Sequence, residues 1–179
     1  VIGDGMSRAT EIAASRFLSG RDDALAWHGP EFEYQGFAST WDVTTYDRHA
    51  EALGLPPYSP TGFLANVGYD VARGGDAPWP VSRLGQDRYF LAELPLRGGE
   101  PRSPATDSAS AATALATGVK TDHGNVAWAP GDPAGGALVT IAQRARERLG
   151  GAIGGVTSGP FSHATHVAFV AHSTSREGY

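Results

Sequence analysis

Cysteine is missing altogether. That excludes a disulfide scaffold, a thiolate metal site and a cysteine nucleophile, while leaving the cellular compartment open. An excess of basic charge is missing too. The 179 residues carry a formal net charge of −5, so the electrostatic footprint of a nucleic-acid binder is absent. No run of about 18 consecutive apolar residues offers a membrane-spanning helix. No secretory leader, internal repeat or block of like charge is visible.

What is present suits a globular fold. Hydrophobic residues make up 41% and charged residues 18%, enough to build one domain with a real core. Twenty-four glycines and 12 prolines indicate many loops and tight turns. The chain opens on Val1-Ile2-Gly3-Asp4-Gly5-Met6, which reads as a strand end entering a turn, and closes on Arg176-Glu177-Gly178-Tyr179 without a terminating pattern. A fragment cut within its fold is the expectation.

Ile12, Ala13, Arg16 and Phe17 are spaced for a helix from Ser7 to Ser19, with Gly20 as its stop. The β-branched and aromatic stretch near 34–43 predicts a strand. Residues 54–104 are dense in Pro and Gly around a short apolar run, Arg88 to Leu94, and read as a loop-rich insertion. Regular structure returns with an Ala-rich helix at 108–117. Leu138, Ile141, Ala142, Ala145 and Leu149 recur at helical spacing before Gly150. Residues 152–158 predict a buried strand, and a further helix or turn starts near His163. Strand and helix alternate, so the expected fold is α/β, one domain over 1–179, with a parallel sheet sandwiched between helices on both faces.

In such sheets, ligands bind at the carboxyl ends of the strands. Asp4 follows the first expected strand, Ser108 opens the Ala-rich helix, and His163 and Thr165 follow the strand at 152–158. Ser108 stands where unpaired helix amides would hold a phosphate, and its oxygen becomes a nucleophile if a metal lowers its pKa. The alternative is that Thr106, Asp107 or Ser108 is an ordinary N-cap. Asp4 suits a metal-ligand turn, but taken alone it reads as an ordinary turn aspartate. His163 and His166 form an H-x-x-H pair, without the flanking acid of a metalloprotease helix. For His166 and His172 a hydrogen-bonded structural role is preferred. Arg176 offers a fork that matches two phosphate oxygens, or is a solvent arginine.

Taken together, three segments resemble the alkaline phosphatases. "VIGDGM" is similar to that family's first metal-binding turn, "TDSASAATALATGVKT" to its nucleophile segment, and "HATHVAFVAHSTSREGY" to the segment bringing an oxygen ligand and the phosphate-binding arginine. The resemblance implies that Ser108 is the nucleophile that becomes phosphoserine, that Asp107 orients Arg176, and that Arg176 clamps two phosphate oxygens. It implies that Asp4 bridges a zinc and a third metal, usually magnesium, and that Thr165 is an oxygen ligand of that third site. His163, where members carry Asp or His, is expected at the same site, directly or through its water shell.

The implied cofactors are two zinc ions and one magnesium. The implied activity is phosphomonoester hydrolysis releasing inorganic phosphate, by a homodimer when complete, in the periplasm or outside the cell, with no nucleic-acid partner and no membrane span. Two departures stand out. The separation between Asp4 and Ser108 exceeds that of compact members, and Trp41, Tyr46 and His49 within it either border a substrate entrance or pack on the edge of the domain. The family's later zinc ligands have no counterpart after Arg176, so this chain alone is expected to be inactive or nearly so. The alternatives are a non-catalytic phosphate- or metal-binding module, a structural subunit completed by a second chain, or another hydrolase of the superfamily such as a phosphodiesterase. A sulfatase fits poorly, because its C/S-x-P-x-R motif is absent at Ser108.

Overall fold

The structure, a computed structural model, describes residues 2–6, 8–32, 41–64, 67 and 106–178. They fall into two compact units, Val1–Ala38 and Ser39–Tyr179. The first unit contains helix α1, Arg8–Ser19, and a 3-10 turn, Ala26–His28. Gly20 ends α1 with φ +66 and returns its N–H to Arg16 O at 2.9 Å, so the expected stop acts as one. Ser15 is fully buried and ties the following loop together. Its hydroxyl donates to Arg21 O at 2.7 Å and accepts from Ala24 N at 2.8 Å.

The second unit carries α2 (Val43–Ala52), α3 (Ser108–Thr117), α4 (Ile141–Leu149) and the single turn α5 (Ala164–Val167). Most of the strand expected near 34–43 lies outside the described residues. Its last positions are corrected: Asp42 is the N-cap of α2, its Oδ1 accepting from Thr45 N at 2.7 Å, and Val43 is already helical. A capping carboxylate at that point overrides the β-branched character of its neighbours. The expected insertion over 54–104 lies largely outside the described residues. Its described part folds back so that Tyr58 and Phe63 meet Trp41 and Tyr46 at centroid separations of 5.5 to 6.4 Å. Val43, Ala50 and Val67 complete this first core.

A second core lies under α3. Ala109 and Ala112 of α3 pack with Val126 and with Ala164 and Ala168 at α5. Alanine on both sides lets two backbones approach closely, which larger side chains would prevent. Thr113 is fully buried here, and its hydroxyl donates to Asn125 O at 3.0 Å while accepting from Ala127 N at 2.8 Å. That one side chain satisfies two backbone groups of a buried loop that no ladder serves. Gly118 closes α3 in the left-handed conformation, φ +76.

The expected buried strand at 152–158 is not found. Those residues form no ladder among the described residues and are exposed, Val156 fully so. A strand exists only as one member of a hydrogen-bonded pair, and an apolar run cannot specify its partner locally. Among the described residues, pairing is limited to two isolated antiparallel bridges, Val126 with Ser173 and Trp128 with Ala137. Leu138 lies ahead of α4 rather than within it, with its N–H bonded to Ala127 O at 2.8 Å. Thr140 caps α4 reciprocally with Gln143, and Gly150 ends it. No helix of the described residues is long and apolar enough to cross a membrane.

Candidate active site

Helix α3 starts where it does because Asp107 caps it. The Asp107 backbone is extended, and its Oδ1 accepts from Ala109 N at 2.8 Å and Ser110 N at 3.4 Å. The alternatives of Thr106 or Ser108 as cap are thereby removed. Ser108 becomes the first helical residue, half-buried, at the positive end of the helix dipole. Its hydroxyl accepts a hydrogen bond from Arg176 Nη1 at 3.1 Å, across 68 positions of sequence.

Arg176 is placed by its main chain before its side chain acts. Its N–H donates to Gly124 O at 2.7 Å. Just upstream, Val126 and Ser173 exchange two backbone bonds of 2.9 Å each. From this anchor the guanidinium reaches three groups: Ser108 Oγ, Asp107 Oδ1 at 3.5 Å, and His163 Nε2 at 3.4 Å. Guanidinium only donates, so in that last contact Nε2 of His163 is the unprotonated acceptor. Glu177 Oε1 lies 3.8 Å from Arg176 Nε on the open side.

Asp107 collects the most partners. Besides the helix amides, its Oδ2 accepts from the Ser110 hydroxyl and from Gly124 N at 3.1 Å. Burial is the largest single influence on this carboxyl and opposes its ionisation. The bonds from Ser110, Gly124 and Ala109, with the nearby His123, together outweigh it and hold the carboxyl below its usual range. Asp107 is therefore an anion at neutral pH. The site thus combines a hydroxyl at a helix N-terminus, a cationic fork upon it and a fixed anion behind the fork. It can receive a tetrahedral oxyanion beside a nucleophile.

The family profile of the alkaline phosphatases matches residues 73–179. This chain belongs to the alkaline phosphatase family. Membership implies an α/β fold. Two curated relatives, both of Bacillus subtilis (strain 168), are similar to it. Alkaline phosphatase 3 is 34% identical over 91 residues, 51% of this chain and 19% of the relative. Alkaline phosphatase 4 is 33% identical over 103 residues, 58% of this chain and 22% of the relative. The matched stretch therefore spans about a fifth of each relative's length. No solved structure matches.

The region matched to the alkaline phosphatases contains Asp107, Ser108, His163, Thr165 and Arg176, and Asp4 lies outside it. The second unit brings Asp107, Ser108, His163 and Arg176 into contact. Thr165 lies on α5 two residues beyond His163. Asp4 belongs to the first unit, at the tip of a turn closed by Met6 N to Gly3 O at 3.2 Å. His172 has a structural role: Nδ1 meets Ala127 O at 3.0 Å and Nε2 meets Gln143 Nε2 at 3.0 Å. His166 is different, because its buried Nδ1 has no hydrogen-bond partner among the described residues. Trp41, Tyr46 and His49 are all buried, which is the packing alternative.

Sequence reasoning missed Asp42, Ser110 and His123, all of which touch this neighbourhood. The missed signal for His123 was its place in "TDHG", a polar turn soon after helix α3. For Asp42 it was the Asp-x-x-Thr pattern opening a helix.

Proposed function

We propose that this chain supplies the nucleophile and phosphate clamp of a metal-dependent phosphomonoesterase working through a phosphoserine on Ser108. The observation that carries the reading is the 3.1 Å bond from Arg176 to the Ser108 hydroxyl at the start of α3. A phosphomonoester laid against this pair meets the guanidinium fork and the positive end of the α3 dipole, both suited to equatorial phosphoryl oxygens. Ser108 Oγ attacks phosphorus as its hydroxyl proton is released to solvent, the bond to the ester oxygen breaks, and the departing alkoxide takes up a proton from solvent in return. Water then attacks the phosphoserine, releasing inorganic phosphate and restoring the hydroxyl. Asp107 holds Arg176 from behind, so the fork does not follow the phosphoryl group as charge moves.

Metal dependence is part of this reading. Asp4 and Thr165 offer oxygen donors of the kind magnesium takes, and His163 offers an imidazole nitrogen of the kind zinc takes. This donor chemistry fits divalent ions. Two zinc ions and a magnesium, when bound, supply the Lewis acidity that lowers the pKa of the serine hydroxyl and the attacking water. The parallel-sheet sandwich, the homodimer and the periplasmic or secreted location belong to the same proposal. They rest on family membership.

The test is hydrolysis of a chromogenic phosphomonoester, with zinc and magnesium, by a polypeptide that carries this chain at the relatives' full extent. Ser108→Ala should abolish turnover and the phosphoserine adduct seen by mass spectrometry. Arg176→Ala should reduce kcat/KM by about a hundredfold, the range for loss of one transition-state donor. Turnover that survives Ser108→Ala would remove the reading. A phosphodiester hydrolysed faster than the monoester would favour the phosphodiesterase alternative.

A further inference from the structure

We propose that Asp42, Asp107 and His123 form a binding site for a divalent transition ion of the zinc class, separate from the donors Asp4, His163 and Thr165. One ligand atom from each lies within 4.8 Å of the others. His123 Nδ1 is 3.6 Å from Asp42 Oδ2 and 3.5 Å from Asp107 Oδ2. Both separations are too long for good hydrogen bonds, whose N···O distances centre near ~2.9 Å. They match another geometry. A tetrahedral ion with ligands at about 2.1 Å sets neighbouring ligand atoms about 3.4 Å apart.

A second observation points into the same space. The Asp42 side chain is only 2% exposed. Its Oδ1 is used by Thr45 N, whereas its Oδ2 accepts no hydrogen bond among the described residues and faces His123. That oxygen belongs to a buried side chain and faces His123, so it points into the space between the three groups. Two cations border the cluster: Arg176 Nη1 is 3.5 Å from Asp107 Oδ1, and Lys120 acts on Asp42 electrostatically while its Nζ lies 4.7 Å over the Trp41 ring.

The three ligands are held on separate elements by backbone contacts. Asp42 caps α2, Asp107 caps α3, and His123 lies in the turn after α3. Val43 N bonds Thr121 O at 2.9 Å, His123 N bonds Thr44 Oγ1 at 3.0 Å, and Gly124 N bonds Asp107 Oδ2. Two carboxylates and an imidazole balance a divalent charge. The imidazole favours zinc or cobalt over magnesium, calcium and manganese. His123 is about half exposed, so water reaches the fourth position. An ion on Asp107 Oδ2 displaces the Ser110 hydroxyl, which has a second acceptor in Asp107 O at 3.2 Å.

The test is a cobalt(II) titration of the full chain, read by its visible d–d absorption, with zinc binding by calorimetry alongside. The expected result is an intense tetrahedral-type band. His123→Ala and Asp42→Asn should each lose that band and weaken zinc binding at this site at least tenfold. Asp4→Asn and His163→Ala should leave the His123-dependent part of the band in place. Ser108→Ala should also leave it, so that loss of the phosphatase reading and loss of this site are distinguishable. His123→Ala removes a half-exposed ring and keeps the fold, checked by circular dichroism, so it decides the matter even if Asp42→Asn unfolds. Zinc and cobalt binding equal to wild type in His123→Ala, or no His123-dependent band in the wild-type chain, would overturn the site.

Discussion

Asp107 offers a sharp test of how helix α3 is held. Its carboxylate caps α3 and accepts from Ala109, Ser110 and Gly124, and it is 7% exposed. Asp107→Ala removes the cap, worth about 1 kcal/mol. It also removes two hydrogen bonds to a charged acceptor, each worth about 1.5–3 kcal/mol. Relief of the carboxylate's own burial offsets part of this, leaving a loss of about 3 kcal/mol. Asp107→Asn should cost about half as much, because asparagine caps a helix as well as aspartate does. Its amide oxygen can still face the helix amides, but its NH2 meets the Gly124 N–H, donor against donor.

The assay is urea unfolding with a chelator present, followed by fluorescence and far-ultraviolet circular dichroism. Trp41 and Trp128 report on the second unit and Trp27 on the first, so the loss should be confined to the transition reported by Trp41 and Trp128. A loss below about 0.5 kcal/mol for Asp107→Ala, the level of an ordinary surface change, would refute the argument. So would an Asn variant as destabilised as the Ala variant.

Other outcomes are expected from the same structure. Thr113→Val keeps the shape but strands Asn125 O and Ala127 N in the core, and should lower unfolding free energy by about 2–4 kcal/mol in the same urea assay. Gly118→Ala meets no atom within 4 Å, so its effect is conformational alone and should be about 1 kcal/mol in the thermal midpoint analysis. Burial among Trp41, Tyr46 and Phe63 raises the Tyr58 hydroxyl above its ordinary value. The unfolded chain therefore loses that proton first. The stability linked to Tyr58 is complete below about pH 10 and falls as pH rises through the folded value. Tyr58→Phe should flatten the decline, read by denaturation across an alkaline pH series.

Local signals in the sequence carried the helices. Gly20, Gly118 and Gly150 end α1, α3 and α4, and the small-residue run at 108–117 is helical over that whole span. Those features depend on residues within one or two turns of each other. The contact from Ser108 to Arg176 was anticipated only through resemblance, since nothing local joins residues 68 positions apart. The strand at 152–158 failed because apolar character is necessary for a buried strand but names no partner. Asp42 and His123 were missed for a related reason. Each reads as an ordinary polar residue in its own segment, and they meet Asp107 only when the ends of two helices and a turn come together.

The main-chain anchor of Arg176 has a consequence for how this protein can vary. The arginine's position is dictated by carbonyl and amide groups of Gly124, Val126 and Ser173, which every residue except proline can supply. The side chain at Val126 is therefore open to drift without moving the arginine, provided its packing volume is kept, whereas the Ser173 hydroxyl also holds the turn into Arg176 by donating to Ser175 O at 2.7 Å and accepting from Ser175 N at 3.1 Å. Gly124 is not open to drift, because its φ of +85 disfavours any residue with a Cβ. Mutational tolerance around the clamp should follow backbone permissiveness more closely than distance from Ser108. The side chains around Arg176 can then change while the main chain keeps the guanidinium in place.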